Sequence, residues 1–196
     1  MVKKIHLTFD IEYPSKESTS TCNFSEIVDL LAKHSVKGTF FFEGRWLHAN
    51  SKKLLEFRKS GHKIGNHTYH HSPSSRLNLF GLRREILDTD ALLRKYTVQD
   101  RISLLRLPYG DGRNLFRVRF VLKIMRRRHF HWNVNSFDYK LDSTKIINHI
   151  EDEIRKIGSE SIATVLFHSW PDSTLTGLKY LLEKYPSDSF VTKITL

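Results

Sequence analysis

Short apolar runs alternate with amphipathic helical patterns along the whole chain. Strand-like runs lie at 3–9, 38–42, 62–66, 102–107, 129–134, 162–167 and 189–194. Helical patterns, in which apolar positions recur three and four residues apart, lie near 24–34, 51–60, 80–96, 114–128, 143–157 and 173–184. The predicted order is therefore strand, helix, strand, helix from one end to the other.

This alternation predicts a parallel sheet, because each crossover helix returns the chain to the edge where the previous strand began. Seven strands fit a distorted (β/α) barrel, closed or nearly closed, better than a small open sheet. A doubly wound open sheet is the alternative, but "DIEYPSKES" follows the first strand where a glycine-rich dinucleotide loop would stand. No linker, repeat or low-complexity block divides the sequence, so we predict one α/β domain over residues 1–196.

Cysteine usage limits the metal chemistry that is available to the chain. Cys22 is the only cysteine among 196 residues, which excludes an intrachain disulfide and a thiolate cluster. Any metal must therefore be held by histidine and carboxylate groups. The opening "MVKKIHLTFD" is too short in apolar residues for a secretory core or a membrane span, so we expect no span and a cytoplasmic location, or a secreted protein if a signal was removed.

The formal net charge is +11, which favours anionic partners in general. Much of the excess lies between Arg101 and Arg128, where "RNLFRVRFVLKIMRRRHF" places apolar residues at helical spacing. We interpret this segment as a helix with one buried stripe and a solvated basic face. No nucleic-acid motif accompanies it, so we expect no nucleic-acid partner; an anionic glycan would suit the charge.

Four of the eleven histidines lie in "GHKIGNHTYHH", residues 61–71. In a helical turn the four-residue spacing places His67 and His71 on one side, and a three-residue spacing also allows His67 with His70. In an extended segment His67 and His71 share a face and His70 points away. Both conformations allow the 67/71 pair, which is the better candidate for two metal ligands. The alternative is a solvated loop in which the histidines bind no metal.

Polar residues collect just past the predicted strands, at the ends that meet around one mouth in a parallel barrel. They comprise carboxylates, histidines and an arginine, which together are what a metal-assisted hydrolase requires. In chain order they are Asp10, Glu12, His67, His70, His71, Arg106 with "PYG" at 108–110, Asp138 and His168. If Asp10 and Glu12 end an extended strand, both carboxylates share one face.

Five short motifs in this order resemble those of the polysaccharide deacetylase family, the NodB-type carbohydrate esterases of family 4. They are "LTFD", "HTYHH", "RLPYG", "NSFDY" and "LFH", and the resemblance runs nearly from end to end. It implies a hydrolase that removes acetyl groups from sugars, built on a distorted barrel.

The resemblance implies a divalent metal, Zn²⁺ or another ion such as Co²⁺, held by His67, His71 and a carboxylate of the first motif. The family places two adjacent aspartates there, the first a base and the second a ligand. This chain has Asp10, Ile11 and Glu12, so Glu12 is the residue expected to complete the site. Three protein ligands leave a position for water and for the acetyl oxygen.

The resemblance also assigns roles to the other residues of the motifs. Asp10 corresponds to the general base and His168 to the general acid that protonates the departing amine. Arg106 corresponds to the arginine that pairs with the base, and Asp138 to the carboxylate that tunes the catalytic histidine. The backbone N–H of Tyr109 corresponds to an oxyanion donor.

Three further residues correspond to the substrate pocket of the family. Pro108, Tyr139 and Leu166 fall where the resemblance implies the walls around the acetyl group. The fourth motif departs from the family at Asn135, where an aspartate is usual, and at Tyr139, where a tryptophan is usual. We expect these changes to reshape the pocket more than they alter the chemistry.

The leading functional hypothesis is a metal-dependent N-deacetylase of an amino sugar, oligosaccharide or polysaccharide of the chitin or peptidoglycan type. One alternative keeps the site but acts on a small carboxamide or a lipid-linked acylamino sugar. Another is a non-catalytic relative that binds a glycan or nucleic acid. The sequence predicts a carbohydrate substrate, for which the net charge of +11 favours an anionic glycan, and leaves the oligomeric state open.

Overall fold

The computed structural model describes residues 3–14, 23–97, 102–158 and 160–192. Seven strands form one sheet in the order β5-β4-β3-β2-β1-β7-β6. Their bounds are β1 Ile5–Ile11, β2 Thr39–Phe42, β3 Lys63–Asn66, β4 Leu104–Leu105, β5 Arg128–His129, β6 Val134–Asn135 and β7 Ala163–His168. The pairs β1–β7, β6–β7, β3–β4 and β4–β5 are all parallel, as the alternation predicts.

Seven α-helices lie between or after the strands of the described residues. They are α1 Phe24–Lys33, α2 Gly44–Ala49, α3 Ser51–Phe57, α4 Leu79–Thr97, α5 Phe116–Ile124, α6 Lys145–Lys156 and α7 Ser173–Lys184. Single 3₁₀ turns occur at Ser74–Arg76, Pro108–Gly110 and Ser187–Ser189. None of the helices in the described part of the chain has the length and apolar character needed to cross a membrane.

Two predicted strands differ from the observed ones, although their number agrees. The single predicted run at 129–134 is two short strands, β5 paired with β4 and β6 paired with β7. The strand predicted at 189–194 is wrong over residues 189–192, where a 3₁₀ turn ends and Phe190 forms one isolated bridge with Ile5. Residues 193 and 194 lie outside the described part of the chain.

The described residues group into two compact units, which we take in turn. The first comprises the described residues within 1–40, 61–63 and 132–196. In it β1 is buried along its whole length and aligns with β7 from Ile5 opposite Ala163 to Asp10 opposite His168. Helix α6 buries isoleucines at 146, 150 and 154, one turn apart. Gly177 in α7 allows close packing, because a Cβ there would lie 2.9 Å from Ile150.

The second unit comprises Phe41–Ser60 and Ile64–His131. Its apolar cluster joins α4, α5 and the end of β4, and its members are Leu82, Ile86, Leu105, Leu107, Val118, Val121 and Leu122. A buried polar network ties β3 to α4, because the amide of Asn66 donates 2.8 Å hydrogen bonds to the Ile86 carbonyl and to Asp90. Arg127 pairs with the same Asp90 carboxylate and so compensates its buried charge. The prediction of one domain over residues 1–196 stays a prediction.

Candidate active site

The loop after β6 holds Asp138 through the side chains that precede it. The Asn135 side-chain oxygen accepts a hydrogen bond from the Phe137 N–H at 3.0 Å, and the Ser136 hydroxyl accepts one from the Asp138 N–H at 3.3 Å. Phe137 itself takes a left-handed conformation, with φ of 50°. Short polar side chains stabilise such turns by bonding to the backbone two residues on. Asn135, a departure from the family pattern, therefore shapes the loop that carries Asp138.

Asp138 and His168 form a tightly held pair. One carboxylate oxygen of the buried Asp138 accepts from the His168 ring nitrogen Nδ1 at 2.7 Å, and the other accepts from the His168 backbone N–H at 2.6 Å. The Thr174 hydroxyl lies 2.7 Å from the second oxygen, and the Ser173 hydroxyl donates to the Asp138 carbonyl at 2.6 Å. The His168 ring is therefore fixed with its Nε2 edge as the remaining proton donor.

Charge around His168 favours its protonated form. Burial lowers the pKa of the imidazole, but the carboxylates of Asp138, Glu12 and Asp10 outweigh it and raise the pKa to about 9. Asp10 lies opposite His168 in the β1–β7 register. Glu12 is buried just past β1 and accepts a 3.3 Å hydrogen bond from the Trp170 indole. A protonated His168 at neutral pH can act as an acid.

A second group of residues follows β3 and β4. The His67 backbone N–H donates to Phe42 at 3.0 Å, and the His67 ring nitrogen Nδ1 lies 2.9 Å from the carbonyl oxygen of Arg106. Because a carbonyl only accepts, Nδ1 carries the hydrogen and Nε2 presents the lone pair. The His67 and His71 rings are 4.9 Å apart at their centroids. The pair expected from the spacing is therefore brought together.

The backbone between His67 and His71 is neither helical nor extended. Thr68 and His71 have positive φ angles of 63° and 53°, and the Thr68 N–H is held by the Asn66 side chain at 2.8 Å. Glu85 of α4 accepts from the backbone N–H groups of Tyr69 and His70 at 3.0 and 2.7 Å. These contacts fix a tight turn that both conformations considered from the sequence had missed.

The other two histidines of the cluster have different partners. His70 lies 2.7 Å from the Glu85 carboxylate through its Nδ1 atom. His62 is buried, and its Nδ1 accepts the Gly38 N–H at 3.1 Å. Burial, and then the charge of Lys37, lower the pKa of His62 to about 4. The choice of His67 and His71 as metal ligands stays a prediction.

Arg106 and Tyr109 lie beside the histidine turn. Arg106 is fully buried, its guanidinium carbon lies 4.2 Å from the centre of the Phe41 ring, and its Nε donates to the Phe130 carbonyl at 3.3 Å. Tyr109 is exposed and has a positive φ of 59°, and its ring centroid lies 4.6 Å from that of His71 with the two rings tilted by 59°. A left-handed tyrosine is uncommon, and such strain concentrates at functional sites.

The residues predicted for the substrate pocket differ in accessibility. Tyr139 is partly exposed and meets the His168 ring edge to face at 5.2 Å. Leu166 is buried within β7, and Pro108 is buried at the start of the 3₁₀ turn that carries Tyr109. Of these three, Tyr139 is the side chain that presents surface next to the candidate acid.

Glu12, His67 and His71 are the residues that could hold a metal ion. Two imidazoles and one carboxylate are a donor set that a divalent ion such as Zn²⁺ accepts. The role of these three residues as ligands stays a prediction.

Sequence reasoning missed the residues that hold the candidate ligands and acid. The main examples are three side chains that make hydrogen bonds: Trp170 to Glu12, Thr174 to Asp138, and Glu85 to the backbone of the histidine turn. Trp170 comes two residues after the "LFH" motif, and a tryptophan so close to a predicted strand end was a signal that could have been used. Thr174 and Glu85 lie on helices, and the hydrophobic periodicity of a helix does not distinguish them from other polar positions.

Comparison with known proteins gives a consistent set of relatives. The chain is 28% identical over 186 residues to a peptidoglycan-N-acetylglucosamine deacetylase of Bacillus cereus, covering 92% of this chain and 61% of that protein. It is 28% identical over 146 residues to the peptidoglycan-N-acetylmuramic acid deacetylase PdaA of Bacillus subtilis, covering 73% and 51%. The chain thus spans about half to three fifths of the length of these curated relatives.

Solved structures of similar fold include BA3943 of Bacillus anthracis, described as a CE4 family pseudoenzyme. The chain matches it with a TM-score of 0.78 and 26% identity, covering 93% of this chain and 60% of that one. A mutant of that pseudoenzyme with restored enzymatic activity gives a TM-score of 0.80 at 26% identity, covering 96% and 64%. These matches confirm the predicted distorted α/β barrel. The family profile described as "Polysaccharide deacetylase" matches residues 2–126, and the chain therefore belongs to the polysaccharide deacetylase family.

Proposed function

We propose that this protein is a metal-dependent hydrolase that removes N-acetyl groups from an acetylated amino sugar or its oligomer or polymer. The observation that carries the proposal is the pairing of His67 and His71 in the turn after β3, where their ring centroids lie 4.9 Å apart, with Glu12 as the proposed third ligand. Membership of the polysaccharide deacetylase family supports the reaction class. The Asp138–His168 pair supplies an acid of the kind that an amine leaving group needs.

The residues present fit a divalent ion such as Zn²⁺ or Co²⁺. Two imidazoles and one carboxylate form a common catalytic donor set, and three protein ligands leave a position for water or substrate. The contact of His67 Nδ1 with the Arg106 carbonyl orients the ring so that Nε2 is the ligand atom. The Trp170 indole orients the Glu12 carboxylate in a comparable way.

An ion held there would polarise the acetyl carbonyl and bring the pKa of a bound water down to about 7. Asp10, buried at the end of β1, is the proposed base that accepts a proton as water attacks the carbonyl carbon. His168 is the proposed acid that donates its Nε2 proton to the amine nitrogen as the C–N bond breaks. The raised pKa of His168 supports this order, because the ring holds its proton until the amine accepts it.

The remaining residues position the substrate in this scheme. The backbone N–H of Tyr109 is the proposed donor to the developing oxyanion, a contact whose loss costs about 2.7–4 kcal/mol in acyl transfer. Arg106 is the proposed partner that keeps Asp10 ionised. Tyr139, with Leu166 and Pro108, is proposed to enclose the acetyl methyl group.

The substrate class follows from relatives and charge. The two curated relatives named above act, by their names, on N-acetylglucosamine and N-acetylmuramic acid of peptidoglycan. We infer a similar acetylated amino sugar here, and the net charge of +11 favours an anionic polymer. A cytoplasmic location remains a prediction from the sequence.

The test measures metal and acetate together. Purified protein, loaded with Zn²⁺ or Co²⁺, is expected to bind one ion and to release acetate from chitooligosaccharides or peptidoglycan fragments. Asp10→Asn is expected to retain the metal and lose nearly all activity. Full turnover by that variant would remove Asp10 from the mechanism. Small acetamides and lipid-linked acylamino sugars assayed alongside would reveal the same chemistry on a different substrate.

A non-catalytic relative is the second candidate, favoured by one specific observation. The first motif separates its two carboxylates by Ile11, and a 26% identical neighbour of the same fold is described as a pseudoenzyme. If metal-loaded protein hydrolyses none of the substrates yet binds a glycan, this candidate replaces the first.

A further inference from the structure

Helix α5 exposes an apolar stripe opposite its buried face. Val118, Val121 and Leu122 are buried, whereas Phe116, Phe120 and Ile124 remain 83%, 45% and 64% exposed. The exposed residues are spaced by four, so they lie along one side of the helix surface. The Phe116 and Phe120 rings stack on each other at 6.1 Å.

Such a stripe is unusual on a water-facing helix. Single exposed apolar residues are normal, but a contiguous exposed group marks a site that contacts an apolar phase or partner. The sequence pattern predicted the buried stripe of this helix and a solvated basic face. The exposed face of α5 does carry basic side chains, but it also carries large apolar side chains.

Positive charge surrounds the stripe. Arg119 and Lys123 are exposed and, with Phe116 and Phe120, line a surface depression of about 530 Å³. Residues 112–137 contain no aspartate or glutamate, and residues 112–128 contain seven arginines and lysines. Within this segment Arg117 donates to the backbone carbonyls of residues 75 and 77, and Arg127 pairs with Asp90.

We propose that α5 docks on an anionic lipid surface, with Phe116, Phe120 and Ile124 entering the interface and Arg119 and Lys123 contacting lipid phosphates. An apolar stripe flanked by cations is the pattern of helices that lie in the plane of a membrane interface. An aliphatic residue at position 124 gains nothing from base stacking, so lipid suits the stripe better than single-stranded nucleic acid. This surface is independent of the proposed deacetylase reaction.

The first experiment is co-sedimentation with vesicles. The full chain is expected to bind vesicles of phosphatidylcholine mixed with phosphatidylglycerol and to bind pure phosphatidylcholine weakly. The triple variant Phe116→Ser, Phe120→Ser and Ile124→Ser should reduce binding to the mixed vesicles at least about ten-fold. Arg119→Gln with Lys123→Gln should reduce it about five-fold for each cation removed. Leu55→Ser, a change at an exposed leucine on α3, is the matched control and should bind as the parent does.

A second measurement separates insertion from simple charge attraction. Phe120→Trp should show a blue-shifted emission, relative to the parent, when the mixed vesicles are added. Thermal unfolding of every variant should match the parent, because the substituted side chains are exposed. The proposal is overturned if the parent does not bind the mixed vesicles, if the triple variant binds them equally well, or if an oligonucleotide prevents all vesicle binding and itself binds through the phenylalanines.

Discussion

Asp138→Asn tests whether the Asp138–His168 pair supplies the acid of the reaction. The substitution keeps the side-chain shape but turns one carboxylate oxygen into an NH₂ group. Both oxygens are in use, one by the His168 ring nitrogen Nδ1 at 2.7 Å and the other by the His168 backbone N–H at 2.6 Å. The oxygen of an amide can accept from one of these two N–H groups, but the NH₂ group would face the other N–H, and two donors cannot form a hydrogen bond.

The expected magnitude follows from these contacts. Leaving one buried N–H without an acceptor costs about 1–3 kcal/mol of stability. If the ring instead adapts, Nδ1 gives up its hydrogen and the imidazolium form loses its partner. General acid catalysis contributes about 10²–10⁴-fold, so we expect kcat for acetate release to fall by that factor. Metal content should stay at the parental level, because Asp138 is not among the three candidate ligands.

The pH profile provides the sharper measurement. The carboxylates raise the pKa of His168 to about 9, and activity that needs the protonated ring is lost as the pH rises through that value. Without the Asp138 charge the pKa falls, so the alkaline limb of the profile should move to lower pH. Asp142→Asn, at an exposed aspartate nearby in sequence, is the matched control. An unchanged alkaline limb with kcat within a few-fold of the parent would refute the assigned role of the pair.

Three further predictions concern the metal, acid stability and packing. Glu12→Ala should weaken Zn²⁺ binding by about 10–100-fold or more in a chelator competition, and equal affinity would exclude Glu12 as an important ligand. Burial lowers the pKa of His62 to about 4, so between pH 6.5 and pH 4 this imidazole is protonated only in the unfolded chain. The free energy of unfolding should therefore fall by up to about 3 kcal/mol as the pH falls through that window. In denaturant titrations, the free energy of unfolding of His62→Gln should depend less steeply on pH there. Gly65→Ala should lower the stability measured by thermal unfolding by about 1–3 kcal/mol, because the added Cβ would lie 2.5 Å from the Phe41 ring. Gly158→Ala is the control and should be nearly neutral, because a Cβ at that position would meet none of the described atoms within 4 Å.

Hydrophobic periodicity was enough to predict the sheet but not the partners of its edge strands. The run at 129–134 is continuously strand-like, yet the Asn133 side chain donates to the Ile162 carbonyl at 2.9 Å and accepts the Thr164 N–H at 2.7 Å. Arg128–His129 instead aligns with β4. The change of partner strand within this apolar run depends on side-chain hydrogen bonds between residues far apart in sequence. The local hydrophobic pattern does not indicate such bonds.

Candidate site residues were predictable where chemistry follows strand ends. Asp10, Glu12 and His168 follow from that rule, because parallel strands deliver their carboxyl ends to one side of a sheet. The turn from His67 to His71 did not follow, because the left-handed angles at Thr68 and His71 are stabilised by Asn66 and by a glutamate of α4. Backbone strain held by distant side chains lies beyond what spacing alone can indicate.

The imidazoles of His67 and His168 illustrate how one residue type could take the two roles proposed here. In both residues the Nδ1 atom is held by a hydrogen bond, which leaves Nε2 as the edge available for the proposed chemistry. The partner of His67 is the neutral carbonyl of Arg106, which fixes the tautomer and leaves a lone pair on Nε2, as a metal ligand requires. The partner of His168 is the carboxylate of Asp138, whose charge favours a second proton on Nε2, as an acid requires. The sequence places a histidine at each position, and the atom opposite Nδ1 decides whether that histidine can bind a metal or donate a proton.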